Sequence, residues 1–284
     1  MRHPVSSEVL KPTPLAATPL NIPAGTDPRE TLAEWLLTPE NPFLARAMAN
    51  RVWGQFLGRG IVHPVDDFRA TNPPVNPELL DALAADFAGH DFDLRHLMRR
   101  IMNSRLYQLS SLPNKTNVQD TSSFSRFYRR RISAENLHDI LVQVSGVESG
   151  FNNLRWDARS VELWTTWMDS ALLESFGLPN SSENCPVERD DRPSMVQALH
   201  LMNSDKLQAK LADKNGRAAK LGQEDKPSDE VVNELYLALY SRWPSDEEKR
   251  VALEAFKGGD AKRHEAVEDI IWALINTAEF VFNH

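Results

Sequence analysis

The stretch from Asn41 to Phe87, NPFLARAMANRVWGQFLGRGIVHPVDDFRATNPPVNPELLDALAADF, constrains the fold more than any other part of the chain. Asn41-Pro42 and Asn76-Pro77 each set a capping side chain before a proline suited to the first helical turn. The first helix carries Leu44, Met48, Val52 and Phe56 at four-residue spacing and ends on Gly58, suited to a left-handed cap. The second places Leu79, Leu80, Leu83, Ala84 and Phe87 on a helical template and closes at Gly89. Residues 58–76 between them hold three prolines and little periodicity, which predicts an irregular connection.

The same punctuation recurs along the chain. Residues 1–26 form an extended, proline-rich arm without the apolar core of a signal peptide, and beginning in such an arm suggests a fragment or the tail of a longer polypeptide. Asp27-Pro28-Arg29-Glu30 opens a helix, with Glu30 reaching back to the cap, Leu32, Trp35 and Leu36 as its buried stripe and Pro39 as its stop. Asp93 caps a helix bearing Leu94, Leu97, Met98 and Ile101; residues 105–132 are polar; Ser133 caps a helix through Val144 that Gly146 ends. From 147 to 192 the pattern weakens, with a short strand at Ser160–Trp164 and a short helix at Asp169–Phe176 closed by Gly177. Helix returns at Pro193, breaks at Asn203-Ser204 and resumes to Leu221. Further helices follow at 229–241, after the Ser245/Glu248 capping box, and through Val267, Ile270, Ile271, Leu274 and Ile275. The expected architecture is mainly α, an irregular multi-helix domain with long polar loops and at most a minor short strand pair. It spans 27–284, with sub-units 27–146 and 193–284 joined by an irregular 147–192.

Composition narrows the function. The formal net charge of −8 argues against a broad nucleic-acid surface, which needs clustered Lys and Arg. Cys185 is the one cysteine, so the chain has no internal disulfide, no cysteine zinc site and no Cys-x-x-Cys-His haem attachment. No apolar run approaches the ~20 residues of a membrane span. Walker loops, dinucleotide fingerprints, Gly-x-Ser-x-Gly and His-Glu-x-x-His are also missing from the sequence.

The chemistry-bearing residues concentrate after Gly58. His63, Asp66 and Asp67 could hold a cation or move a proton, with Arg59 and Arg69 nearby. The plainer reading pairs each carboxylate with an arginine to hold the loop in one shape. Arg46, Asn50 and Arg51 of the preceding helix are candidates to brace that loop or bind an anionic or sugar ligand, Asn50 lying partly off the apolar stripe. Cys185, Glu188 and Arg189 form a third candidate, a thiol beside cations, whose plainer reading is a buried anchor for a long loop. His90 and His96 flank the Asp93 cap and read as surface or cap residues, so no metal site is assigned. Trp35, Trp53 and Trp272 read as core; Trp156, Trp164 and Trp167 are better placed for a ligand surface.

The opening stretch, with HLMRRIMNSRLYQLSS, RRRISAENLHDIL, SFGLPNSSENCPVERDDRPSMVQALHLMNS and ALINTAEFVFNH, resembles the DUF1553 (PSD1) family common in Planctomycetes. The resemblance covers nearly all of 27–284, and the arm PVSSEVLKPTPL resembles the connection into this region in longer relatives. It implies the C-terminal part of large exported proteins, extracytoplasmic, following a DUF1549 domain and often a c-type cytochrome domain. Haem c would therefore belong to upstream domains and not to this chain. In relatives a second cysteine often stands two positions after Cys185, where this chain has Val187. The family carries no established catalytic residues. The reading is a binding or scaffolding module that positions partner domains or holds a glycan. The alternative is a polysaccharide-acting or metal-dependent enzyme domain using His63, Asp66 and Asp67.

Overall fold

The computed structural model describes the chain except residues 1, 16, 17, 24, 39, 40, 152, 153, 164–169, 179–193, 260, 261 and 284. Among the described residues it contains thirteen α-helices and one two-stranded antiparallel pair, so the protein is mainly α. No helix is long and apolar enough to cross a membrane. The chain separates into two compact units, Met1–Tyr128 and Arg129–His284.

The first unit holds α1 (Pro28–Leu36), α2 (Pro42–Leu57), α3 (Pro77–Gly89) and α4 (Leu94–Met102). Asp27, Asn41, Asn76 and Asp93 cap them with side-chain oxygens on backbone N–H groups, three of the four ahead of proline. At α1 the expected Glu30 partnership is replaced by Arg29, whose backbone N–H and guanidinium both bind the Asp27 carboxylate. α1 buries none of its residues, and Leu32 is exposed. The buried face of α2 also differs from the expected stripe. Ala45, Ala49, Trp53 and Leu57 face the core, while Leu44, Met48 and Phe56 are only half-buried. Small alanines let α3 approach closely, and the larger side chains fill the flanks. Leu80, Ala84, Phe87, Leu97, Ile101, Phe124 and Phe127 complete this core, with Trp53 edge-on to Phe124. The polar stretch after α4 is ordered by Asp120, whose carboxylate accepts from the N–H groups of Ser122, Ser123 and Ser125 and from the Ser125 hydroxyl.

The second unit begins with β1 (Arg130–Arg131), paired to β2 (Phe282–Asn283) in the register Arg130 with Asn283. α5 (Ala134–Ser145), α6 (Ala171–Ser175), α7 (Met195–Asn203), α8 (Asp205–Leu211), α9 (Arg217–Gln223), α10 (Ser228–Tyr240), α11 (Asp246–Glu254), α12 (Arg263–Ile275) and α13 (Ala278–Val281) build it. α5 belongs here, not with the helices before it as the expected division at 146 had it. Leu137, Leu141 and Val144 share a core with Leu173, Leu235, Val267 and Ile271. Ser160–Glu162 is a 3-10 turn in place of the expected strand, because Asp139 takes the N–H groups of Ser160 and Val161 and Glu162 takes that of Arg159 just before it. The helix expected at Pro193 begins at Met195 behind a Ser194/Gln197 capping box, and the run to Leu221 is interrupted between Leu211 and Arg217. Of the expected core tryptophans, Trp53 is buried, Trp35 is half-buried and Trp272 is partly exposed.

Candidate functional site

The 58–76 loop is braced from α2. Asn50, fully buried, donates from Nδ2 to the carbonyls of Val62 (2.9 Å) and Val65 (2.8 Å) and accepts the Val62 N–H at 2.9 Å. It thus lies on the buried side and not partly off it, because only there can one amide meet three loop backbone groups. Arg51 binds Asp66 at 2.6 Å, and Arg69 binds both Asp67 carboxylate oxygens at 2.6 Å, keeping Asp67 below the usual carboxylate range. Arg46 pairs with Asp81 of α3 at 3.1 Å. Burial, followed by the nearby Arg59 cation, lowers the His63 pKa, so its ring favours the neutral form. Among the described residues, the group of three possible metal ligands that converges is not His63, Asp66 and Asp67. Cys185, Glu188 and Arg189, like Trp164 and Trp167, lie outside the described residues.

An opening lies in the second unit. A cleft of about 660 Å³ is bounded by α5 and the 148–159 segment. Asn136, Asp139, Glu148, Asp157 and Arg159 give it amide, carboxylate and guanidinium groups. Trp156, immediately before Asp157 in the chain, is 72% exposed, a large aromatic side chain left to solvent. The framework is fixed from below. Arg217 Nε donates to the Val144 carbonyl at 2.8 Å, and Lys210 Nζ donates to the carbonyls of Val147 (2.8 Å) and Glu148 (3.0 Å). Arg217 satisfies a carbonyl in the last turn of α5, where the helix dipole favours positive charge, and Lys210 satisfies two carbonyls just beyond the Gly146 cap.

His138 and Ser160 meet on one wall, with Nδ1 and Oγ 2.6 Å apart. In a nucleophile–base–carboxylate relay the carboxylate would hold the other ring nitrogen. Here Asp139 Oδ1 accepts the Ser160 N–H at 2.6 Å and lies 3.7 Å from the same Nδ1. Ser160 is also fully buried. The cluster therefore clamps the 3-10 turn onto α5 and shapes the cleft. Burial lowers the His138 pKa despite the neighbouring Asp139. No sequence pattern marked these residues, because the partners stand 22 positions apart.

A third cluster sits in the first unit. Asp86, His90 and His96 offer ligand atoms within 4.8 Å of one another. His96 Nε2 lies 2.9 Å from Asp86 Oδ2, and that hydrogen bond is the main cause holding Asp86 below the usual carboxylate range. The two imidazoles stack with centroids 3.8 Å apart.

The sequence model of PSD1, a protein family of unknown function (DUF1553), matches residues 28–256. The chain belongs to the DUF1553 family. No curated protein and no solved structure matches it. The RISAENLHDIL stretch that carries part of the DUF1553 resemblance is also the one that supplies Asn136, His138 and Asp139 to the cleft wall.

Proposed function

We propose that this DUF1553 domain is a non-catalytic binding module that holds a glycan in the cleft of the second unit. The observation that carries the reading is Trp156, exposed and next in sequence to Asp157 of a cleft whose lining presents Asn136, Asp139, Glu148, Asp157 and Arg159. A sugar offers an apolar C–H face for an aromatic ring and vicinal hydroxyls for carboxylates and amides, the group types this segment and the cleft lining carry. Clamping by Ser160, Lys210 and Arg217 keeps the wall in one shape before binding, which lowers the ordering cost. In the context the family implies, the module would act outside the cytoplasm, beside DUF1549 and cytochrome-type domains that carry any haem c.

The alternative, a polysaccharide-acting or metal-dependent enzyme domain built on His63, Asp66 and Asp67, has weaker support, since arginines already engage both carboxylates. Calorimetric titration of neutral oligosaccharides into the chain, after a glycan-array screen, tests the reading. Binding that Trp156→Ala weakens about tenfold or more is the expected result. If no saccharide binds, or if Trp156→Ala binds as wild type, the reading falls.

A further inference from the structure

We propose that Asp86, His90 and His96 form a binding site for a divalent transition-metal ion of the zinc class. The site is independent of the cleft and lies where α3 gives way to α4. Asp86 projects from the last turn of α3, His90 is its C-terminal cap, and His96 stands in the first turn of α4. The reversal between them is tight. Asp91 and Phe92 both adopt left-handed backbone, with φ of 53° and 57°, a conformation unfavourable for bulky residues. Phe92 N–H binds the Phe87 carbonyl at 3.1 Å and its ring sits edge-on to Phe87, which holds the reversal in place. The strained turn thereby brings two imidazoles and a carboxylate to one point at the surface.

The donor set and its spacing fit such an ion. Two imidazole nitrogens and one carboxylate oxygen are borderline donors that suit zinc, copper or nickel better than calcium or magnesium. Ligand bonds of ~2.0–2.1 Å in a tetrahedron put neighbouring donor atoms about 3.3 Å apart. His96 Nε2 lies 2.9 Å from Asp86 Oδ2, and His90 Nδ1 lies 3.5 Å from the other carboxylate oxygen, Oδ1. One ligand atom from each residue falls within 4.8 Å of the others, so short side-chain shifts reach that spacing. Three protein ligands leave a fourth position for water or a donor from a partner.

Two features must change on binding. A metal lies in the plane of each ring it binds, so the stacked rings cannot both ligate as they stand. His90 is exposed and can turn out of the stack, leaving its 2.7 Å contact with the Asp86 carbonyl if Nδ1 ligates. Arg100 Nε, 3.6 Å from Asp86 Oδ2 on an exposed side chain, competes for the carboxylate and must swing away.

Calorimetric titration of the chelator-stripped full chain with zinc chloride at neutral pH tests the site. The expected result is one equivalent bound, about tenfold or more weaker in His90→Ala and Asp86→Asn. Loss of a ligand should cost at least what loss of an outer-shell partner costs, ~10–100-fold. Arg100→Gln should bind more tightly than wild type, which a mere structural staple between the helices would not predict. His90→Ala alters an exposed ring outside the core, so it remains interpretable if Asp86→Asn perturbs the fold. No stoichiometric binding by wild type, or His90→Ala binding as wild type, overturns the proposal.

Discussion

Asn50 and Val62 bond in both directions: the buried amide donates to the Val62 carbonyl and accepts the Val62 N–H, each at 2.9 Å. With the bond to Val65, one side chain does for the loop what a strand partner would do for an extended segment. Replacing it by leucine leaves the two buried Val62 backbone groups and the part-buried Val65 carbonyl without this partner, at ~1–3 kcal/mol for each buried group. Asn50→Leu is expected to destabilise the protein by about 3 kcal/mol or more in urea unfolding. A loss below about 1 kcal/mol would mean that the loop holds its shape without this brace.

Two glycines are fixed by close approach. A Cβ on Gly222 would lie 2.7 Å from the His264 Cα, so α9 and α12 could not keep their spacing. A Cβ on Gly60 would stand 2.2 Å from the Val62 carbonyl and 3.0 Å from the Asn50 amide. Gly222→Ala and Gly60→Ala should each cost about 1–3 kcal/mol by overpacking. Gly89→Ala, with nothing within 4 Å, should be neutral or slightly stabilising. Melting temperatures in that order check the assignment, and equal effects at all three sites would contradict it.

Acid should weaken the second unit through Glu248. Its carboxylate is bound by the Arg242 guanidinium at 2.6 Å and accepts the Ser245 N–H, and these contacts lower its pKa to about 2. A depressed folded-state value gives stability that is fully present above the usual value of 4.5 and lost as pH falls toward 2. Solvent reaches this carboxylate, so we expect about 1–2 kcal/mol, less than the full shift would give. Comparing wild type with Glu248→Gln in urea melts between these pH values should show the difference closing as pH falls. A difference that stays constant with pH would rule out this linkage.

Trp156 should matter for ligand and not for folding. Since 72% of it is exposed, Trp156→Ala is expected to change stability by no more than about 0.5 kcal/mol. Its intrinsic fluorescence, separated from the other tryptophans by difference from the variant, should shift when an oligosaccharide binds. A variant that unfolds readily would place Trp156 in the packing instead.

Local chemistry made much of the fold legible. Asp27, Asn41, Asn76, Asp93, Ser133 and Ser245 each cap a helix, and Gly58 and Gly146 end helices in the left-handed conformation. The Asn203-Ser204 break likewise falls at a helix end. The face that each helix buries was harder to read. Of the stripe Leu44, Met48, Val52 and Phe56, only Val52 is buried, and it shares the core face with Ala45, Ala49, Trp53 and Leu57 on a helix that packs against α3. Residues 160–162 alternate like a strand but coil into a turn, since a carboxylate 21 positions away takes the backbone N–H that a strand partner would need.

The candidate sites divide in the same way. The sequence by itself determined the caps, the helix order, the mainly helical class and the DUF1553 resemblance, because each rests on side chains acting within about four residues of one another. Tertiary structure alone decided that Asn50 is the buried brace and that His138 meets Ser160. It also decided that Asp66 and Asp67 are drawn to separate arginines, and that Asp86, His90 and His96 converge. Those pairings depend on which helix faces close together, and that follows from how side-chain volumes pack across the chain.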